Sequence, residues 1–335
     1  MERRKTREVR IGDVKIGKNN PIAVQSMCNT YTRDVDATVK QILELEEVGC
    51  EIIRVAVPTM EDAKALKEIR KQIHIPLVAD IHFDYRLAVA SAPYVDKLRI
   101  NPGNIGSKEK IKAVVDAAKE YGLAIRVGVN SGSIEQDLLQ KYGNTVEALV
   151  ESALRNVKIL EEFDFQDIVI SAKASDVIKT IRTYEKISEK TDYPLHLGVT
   201  EAGTKFSGTV KSAIGIGALL AEGIGDTIRV SLTAPVVEEV RVAWEILKDL
   251  GLRERGPIVI SCPTCGRTEI DVFSLAEKVE KAVQNIEKPL RIAVMGCVVN
   301  GVGEGKEADI GIAGGKHEGV IFKKGKVIKK VPEEK

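Results

Sequence analysis

An α/β barrel of the TIM type followed by a smaller α+β domain is the fold this sequence predicts, on three observations. Short apolar runs alternate with longer amphipathic ones from residue 20 to about 250. They form eight strand–helix units over roughly 250 residues, the number and size of a closed eight-stranded barrel. Beyond the charged, Gly-bearing link "GLRERGPI" (Gly251–Ile258) the pattern shortens and a cysteine pair appears. The predicted domains are therefore residues 1–250 and 256–335. A doubly wound open sheet is the alternative, but no G-x-G-x-x-G follows the first strand.

The strands read, in order, as "PIAVQSM", "EIIRVAV", "PLVADIH", "VDKLRIN", "LAIRVGVN", "DIVISAK", "PLHLGVT" and "DTIRVSL". Helical periodicity fills the intervals, as in "TVKQILELEEVG", "SKEKIKAVVDAAKEYG", "TVEALVESALRNVKILEEF" and "SAIGIGALLAEG". Gly49 and Gly122 stand where two of these helices should stop. The second domain reads as a strand into "SCPTCG", a helix "SLAEKVEKAVQNI", a strand "LRIAVMGC", and short strands around "ADIGIAG", "GVIFKKG" and "KVIKKV".

Composition narrows the function. Lys+Arg 50 against Asp+Glu 49 leaves a net charge of +1, which argues against bulk binding to nucleic acid or an anionic membrane. Aromatic residues, at 4%, are too few for a base-stacking surface. The segment "MERRKTREVRIGDVKIGKNN" lacks a secretory apolar core, and no run is apolar enough to predict a transmembrane helix. Five cysteines, an odd number with three in metal-like spacing, point to a reducing cytoplasmic setting rather than a disulfide framework.

Polar residues inside the strands carry the first functional signal. Side chains two apart along a strand share a face. Asp80 thus aligns with His82, Arg99 with Asn101, Arg126 with Gly128 and Asn130, and Ser171 with Lys173. His196 aligns with Thr200 and Arg229 with Ser231, while Arg54 sits near the end of the second strand. Charge inside a barrel is costly unless paired, and one reading is internal pairing, for example Lys97 with Asp80. The other is a site at the C-terminal mouth, where barrel enzymes keep their active sites. Arg54, Arg99, Arg126, Lys173 and Arg229 outnumber Asp80 and Glu201, so the mouth should hold an anion. Guanidinium groups suit phosphate, which makes a small phosphate-rich metabolite the expected ligand.

The second signal is Cys262 and Cys265 in "CPTCG", followed by Cys297 alone. The knuckle serves zinc and iron equally. A structural zinc would be expected to bring a second C-x-x-C or two histidines, and only His317 is nearby. Three thiolates with an irregular fourth position suit an iron–sulfur cluster with one iron open to chemistry, and Glu304 is available as an oxygen ligand. Cys50 reads as core packing, and Cys28, just past the first strand, as a candidate for lining the mouth.

With both halves considered, the sequence resembles the bacterial hydroxymethylbutenyl diphosphate synthase family, known as IspG or GcpE, over essentially its whole length. The resemblance is most specific in "SCPTCGRTEID" and "MGCVVNGVGE…ADIGIAGG", and continues through "VQSMCNT", "ADIHFDYRLA", "LRINPGNIG", "RVGVNSGS" and "HLGVTEAG". It implies a TIM barrel followed by a 4Fe–4S domain. The implied reaction opens and reductively dehydroxylates methylerythritol cyclodiphosphate to hydroxymethylbutenyl diphosphate, on the methylerythritol phosphate route to isoprenoids. Ferredoxin or flavodoxin is the implied electron donor. The implied assembly is a homodimer, head to tail, with one subunit's cluster domain capping the other's barrel. The resemblance makes Cys262, Cys265 and Cys297 cluster ligands, with Glu304 an exchangeable fourth ligand and catalytic group. Where the family commonly reads N-G-P-G-E, this chain has Asn300-Gly301-Val302-Gly303-Glu304, and loses the fixed φ of proline. The rival from another class is a non-redox barrel protein for a phosphometabolite, carrying a structural zinc knuckle.

Overall fold

Ahead of the barrel stands a hairpin that periodicity does not announce, because its strands β1 (Val9–Ile11) and β2 (Val14–Ile16) have three residues each. The structure, a computed structural model, describes residues 2–284, 286–297, 304–315 and 318–332. It divides into two compact units, Met1–Arg253 and Glu254–Lys335.

The first unit is built on eight parallel strands: β3 (Ala23–Met27), β4 (Ile52–Ala56), β5 (Leu77–Asp80), β6 (Lys97–Ile100), β7 (Ala124–Asn130), β8 (Ile168–Lys173), β9 (His196–Leu197) and β10 (Thr227–Ile228). Their order is β8-β7-β6-β5-β4-β3-β10-β9, and a bridge between Ile170 and Leu195 joins the two ends into a barrel. Helices between the strands start on the expected polar caps. Asp34, Thr59 and Asp176 each accept a first-turn N–H, and Thr59 forms a full capping box with Asp62. Gly122 ends its helix in the left-handed conformation, φ +65°, as the sequence predicts.

The hairpin closes the N-terminal end of the barrel. Val9, Ile11 and Ile16 are buried against Ala23, Ile52, Val78, Ala124 and Val169, all near the starts of strands. The C-terminal end is left as the open mouth. Arg253 ties the end of this unit to the closed face, donating to the Ile22 carbonyl at 2.9 Å and to Glu51 at 2.6 Å, with its guanidinium over the Trp244 ring. The chain therefore leaves the barrel at the face opposite the mouth.

The second unit is a five-stranded sheet in sequential order: β11 (Pro257–Ser261), β12 (Leu290–Met295), β13 (Ile310–Gly315), β14 (Glu318–Lys323) and β15 (Lys326–Pro332). The first three run parallel and the last two antiparallel. Helix Val272–Val283 makes the crossover from β11 to β12. Its core is small, with Phe322 packed among Ala293, Met295, Ala308 and Ala313. Among the described residues no helix is long and apolar enough to cross a membrane.

Candidate active site and cysteine cluster

A cavity of about 200 Å³ opens at the C-terminal ends of the barrel strands. Ten of the sequence-derived candidates line it: Arg54, Asp80, His82, Arg99, Arg126, Asn130, Lys173, Thr200, Arg229 and Ser231. Ser171 and Val199 join them. Three candidates lie outside the lining. Asn101 is buried and caps the short helix Pro102–Ile105, accepting the Gly103 N–H at 3.2 Å. His196 is buried in β9, its Nδ1 2.6 Å from Thr227 Oγ1. Glu201 is exposed at the turn beyond β9, with φ +52°.

Asp80 is the carboxylate at the centre. Arg99 Nη1 donates to it at 2.9 Å, while Arg54 Nε and His82 Nε2 approach within 3.6 Å. Burial pushes its pKa up, but Arg54, the His82 hydrogen bond, Arg99 and Arg126 outweigh burial and hold it well below the usual carboxylate range. The pairing of Lys97 with Asp80 is not what forms. Lys97 is fully buried and its Nζ donates to Gln25 Oε1 at 3.1 Å, leaving Asp80 to the arginines.

A second carboxylate, Glu239, comes from helix Val236–Asp249. It approaches Arg229 at 3.3 Å and accepts from Ser26 Oγ at 3.3 Å and the Leu232 N–H at 3.0 Å. Strand alternation does not reach it, but an acid in "VVEEVRVAWEIL" four residues before Ala243, on the helix's buried face, is a legible signal.

Cations remain in excess: Arg54, Lys97, Arg99, Arg126, Lys173 and Arg229 against Asp80 and Glu239. Burial, then mutual repulsion, depresses several of them. Burial lowers Arg54 to about 10, against the pull of Asp80. Arg126 falls well below its ordinary value through burial and then through Arg54 and Arg99. Lys173 does so through burial and then Arg126 and Arg229. His196 is lowered in the same way, by burial and then Lys173, which leaves its ring neutral. Among the described residues Arg99 Nε, Arg126 Nε and Nη1, and Arg229 Nε are buried without a hydrogen-bond partner. Buried unpaired donors beside unneutralised cations are what a polyanion satisfies.

Glycine keeps room for these side chains. A Cβ at Gly128 would stand 2.5 Å from Arg99 Nε, and one at Gly198 would stand 2.6 Å from Lys173 Nζ.

In the second unit, Cys262 follows β11 and Cys297 follows its parallel neighbour β12, so both stand at the same edge of the sheet. The Gly296 N–H donates to Cys262 Sγ at 3.1 Å. Cys265 sits in the turn beyond, where its N–H donates to Thr268 Oγ1 at 3.0 Å. Cys297 is buried, Cys262 half-buried and Cys265 exposed. Among the described residues no three His, Cys, Asp or Glu side chains gather closely enough for a single metal ion. Cys262 and Cys297 thus follow neighbouring parallel strands, and the Cys262 thiol already accepts a backbone N–H, a contact of the kind that supports thiolate ligands. Glu304 opens a short 3-10 helix, Glu304–Glu307; its side chain, residues 298–303 and His317 lie outside the described residues. Cys28 does not line the cavity. It is buried in the barrel core with Cys50, and burial pushes both thiols up, Cys50 to about 12.

Residues 6–244 match the GcpE TIM-barrel domain and residues 258–335 the GcpE protein C-terminal domain. The chain belongs to the GcpE family. It is 65% identical to the 4-hydroxy-3-methylbut-2-en-1-yl diphosphate synthase (flavodoxin) of Caldanaerobacter subterraneus, across 99% of this chain and 94% of the relative. The enzyme of the same name from Fusobacterium nucleatum is 60% identical, across 98% and 94%. Among solved structures, the dihydropteroate synthase of Stenotrophomonas maltophilia superposes with a TM-score of 0.53 at 14% identity, covering 72% of this chain and 98% of that one. That likeness carries the barrel fold of this GcpE chain and nothing of its chemistry.

Proposed function

We propose that the chain is a 4-hydroxy-3-methylbut-2-en-1-yl diphosphate synthase. It converts 2-C-methyl-D-erythritol 2,4-cyclodiphosphate to 4-hydroxy-3-methylbut-2-enyl diphosphate in the methylerythritol phosphate pathway, with two electrons entering and one water leaving. The observation that carries this reading is the excess of buried cations with unpaired donors around the barrel cavity, in a member of the GcpE family.

Arg54, Arg99, Arg126, Lys173 and Arg229 hold the diphosphate, which supplies the charge and the acceptors those side chains lack. Asp80 and Glu239 fix Arg99 and Arg229 in place before the ligand arrives. Thr200, Asn130 and Ser231 offer the uncharged hydrogen bonds that a polyol requires. Cys262, Cys265 and Cys297 would hold a 4Fe–4S cluster, with Glu304 as its exchangeable fourth ligand. When bound, such a cluster delivers electrons singly and offers a Lewis-acidic iron. The Glu304 carboxylate would supply a displaceable oxygen ligand and a group able to carry a proton.

The relatives' names specify flavodoxin, which we take as the donor here. The working assembly is a homodimer in which the cluster unit of one copy caps the cavity of the other; the chain's exit at the closed face of its own barrel favours that arrangement.

Anaerobic purification tests the reading. The expected protein is brown, carries iron and sulfide near four each per chain, and forms the diphosphate product with reduced flavodoxin. A colourless protein containing zinc and inert toward the cyclodiphosphate overturns it.

A further inference from the structure

Strand β15 is an outer edge of the second unit's sheet, pairing with β14 on one side only. The hairpin it forms with β14, residues 318–332, holds five lysines against one acid, Glu318. Lys330 pairs with that acid at 2.9 Å. Among the described residues Lys323, Lys324, Lys326 and Lys329 are exposed and have no ion-pair partner. Between them Val327 is 62% exposed and Ile328 58%. Ile328 is the extra residue where the pairing shifts register, from Phe322 with Val327 to Ile321 with Lys329. Lysines and a bulge are enough to keep a sheet edge from pairing with another sheet. Two adjacent exposed β-branched residues do not serve that end. An apolar centre within a charged rim is instead the make-up of a protein contact. The opposite edge strand, β11, is half-buried over its first four residues and carries no charge.

The end of β15 is also in line with the thiols. Met295 is in register with Ala313, Gly315 with Glu318, and Glu318 with Pro332. Two residues past Met295, Cys297 therefore stands level with Gly315 and with the last residue of β15. The backbones agree, since a Cβ on Gly314 would lie 2.7 Å from the Gly296 carbonyl oxygen. Three strand spacings separate β12 from β15, about 15 Å.

We infer that the β14–β15 hairpin is the surface on which the one-electron donor docks, through an acidic and partly apolar face of its own. The inference rests on the flavodoxin reading above and deepens it by naming the surface. Electron transfer weakens steeply with distance, so the donor has to dock near the cysteines. It must also leave uncovered the cysteine edge itself, which the substrate has to reach. The hairpin meets both conditions. Each visit oxidises the donor by one electron and reduces this protein by one, and two visits supply the two electrons of the assigned reaction. A partner that must arrive and leave twice per turnover is served by steering charge, which speeds encounter without tight burial. Redox encounters accordingly use small interfaces.

The test is surface plasmon resonance of flavodoxin on the intact, anaerobically purified protein, beside turnover with flavodoxin and with reduced methyl viologen. Wild type should bind flavodoxin with a dissociation constant that rises with ionic strength. Lys326→Glu/Lys329→Glu should weaken that binding at least about tenfold and raise the KM for flavodoxin in step. Its iron content, melting temperature and viologen-driven turnover should stay at wild-type values, because the small donor needs no docking surface. Lys329→Gln removes one charge without adding another, and should weaken binding about two- to fivefold. It keeps the test readable if the double variant misfolds. Carbodiimide coupling gives a further reading, in which flavodoxin carboxylates should join to lysines within residues 323–330. Unchanged affinity and KM in both variants overturn the surface and leave the lysines as guards of a bare edge. Unchanged flavodoxin kinetics with lost retention on heparin overturn it in favour of a polyanion. Wild type that turns over with viologen but does not bind flavodoxin overturns the donor and this surface together, with the reaction standing. Wild type inert with both donors overturns the assigned reaction, and the binding and coupling results then decide the surface.

Discussion

Arg126 is fully buried at the cavity floor, two of its nitrogens lack partners, and its neighbours Arg54 and Arg99 repel it. A side chain in that position is costly to the empty protein and valuable once an anion arrives. Arg126→Ala should cost about 1.5–3 kcal/mol of substrate binding, or roughly ten- to hundredfold in affinity. Arg126→Lys should recover little, since an ammonium lacks the planar fork; isothermal titration with the cyclodiphosphate reads both. The cysteine edge gives a second pair of variants with different outcomes. Cys297→Ser should lose iron and activity together. Glu304→Ala should keep most of its iron on three thiolates while its resting spectrum changes and turnover falls severely. Iron analysis and electron resonance separate the two, and normal turnover with an unchanged spectrum in Glu304→Ala would remove that residue from the chemistry. At this scale the sequence was legible wherever strand alternation governs, as for Arg99, Arg126 and Lys173. Alternation does not extend past the strand ends: Asn101 caps a helix, and the turn beyond β9 carries Glu201 into solvent, so neither lines the cavity. Glu239 reaches the site from a helix, where the alternation that marks the strand residues carries no signal.

Element existence was readable because eight apolar runs and their caps agree with one another. The hairpin β1–β2 was not, because three-residue strands carry too little alternation to register against background. Its contribution is nevertheless central to the barrel. Ile11 and Ile16 are fully buried, and they close an end of the barrel that would otherwise expose Ile52, Val78 and Val169. Ile11→Ala should destabilise the first unit by about 2–5 kcal/mol, as buried large-to-small changes do. Denaturant unfolding followed at Trp244, the chain's one tryptophan, reads that unit directly. A loss under about 0.5 kcal/mol, the range of an ordinary surface change, would mean that the hairpin merely rests on the barrel. The element also has a functional side. With the closed face sealed, the mouth is the open end of the barrel, and the cavity cations meet ligand there.

For the whole molecule, the balance of charge hides a strong local asymmetry: a net charge of +1 overall, yet Arg54, Arg99, Arg126, Lys173 and Arg229 against Asp80 and Glu239 around the mouth of the barrel. Lys97 and Lys173 have folded-state pKa values well below 10.5, through burial and then nearby arginines. The unfolded chain therefore binds more protons than the folded one between those lowered values and 10.5, and ligand-free stability should rise with pH across that window. A bound diphosphate reverses the cause, since its charge draws the Lys173 pKa back upward. Binding must then take up protons wherever the pH lies between the free and bound values, and affinity must fall as pH rises through the same interval. Calorimetry of cyclodiphosphate binding over a pH series below 10.5, repeated in buffers of different ionisation enthalpy, measures that uptake. It should be positive in wild type and smaller in Lys173→Met, which keeps the stem but cannot titrate. Equal uptake in both proteins would move the titrating group elsewhere. Absence of uptake in wild type would mean that Lys173 is charged before the ligand arrives, with its cost already met inside the protein.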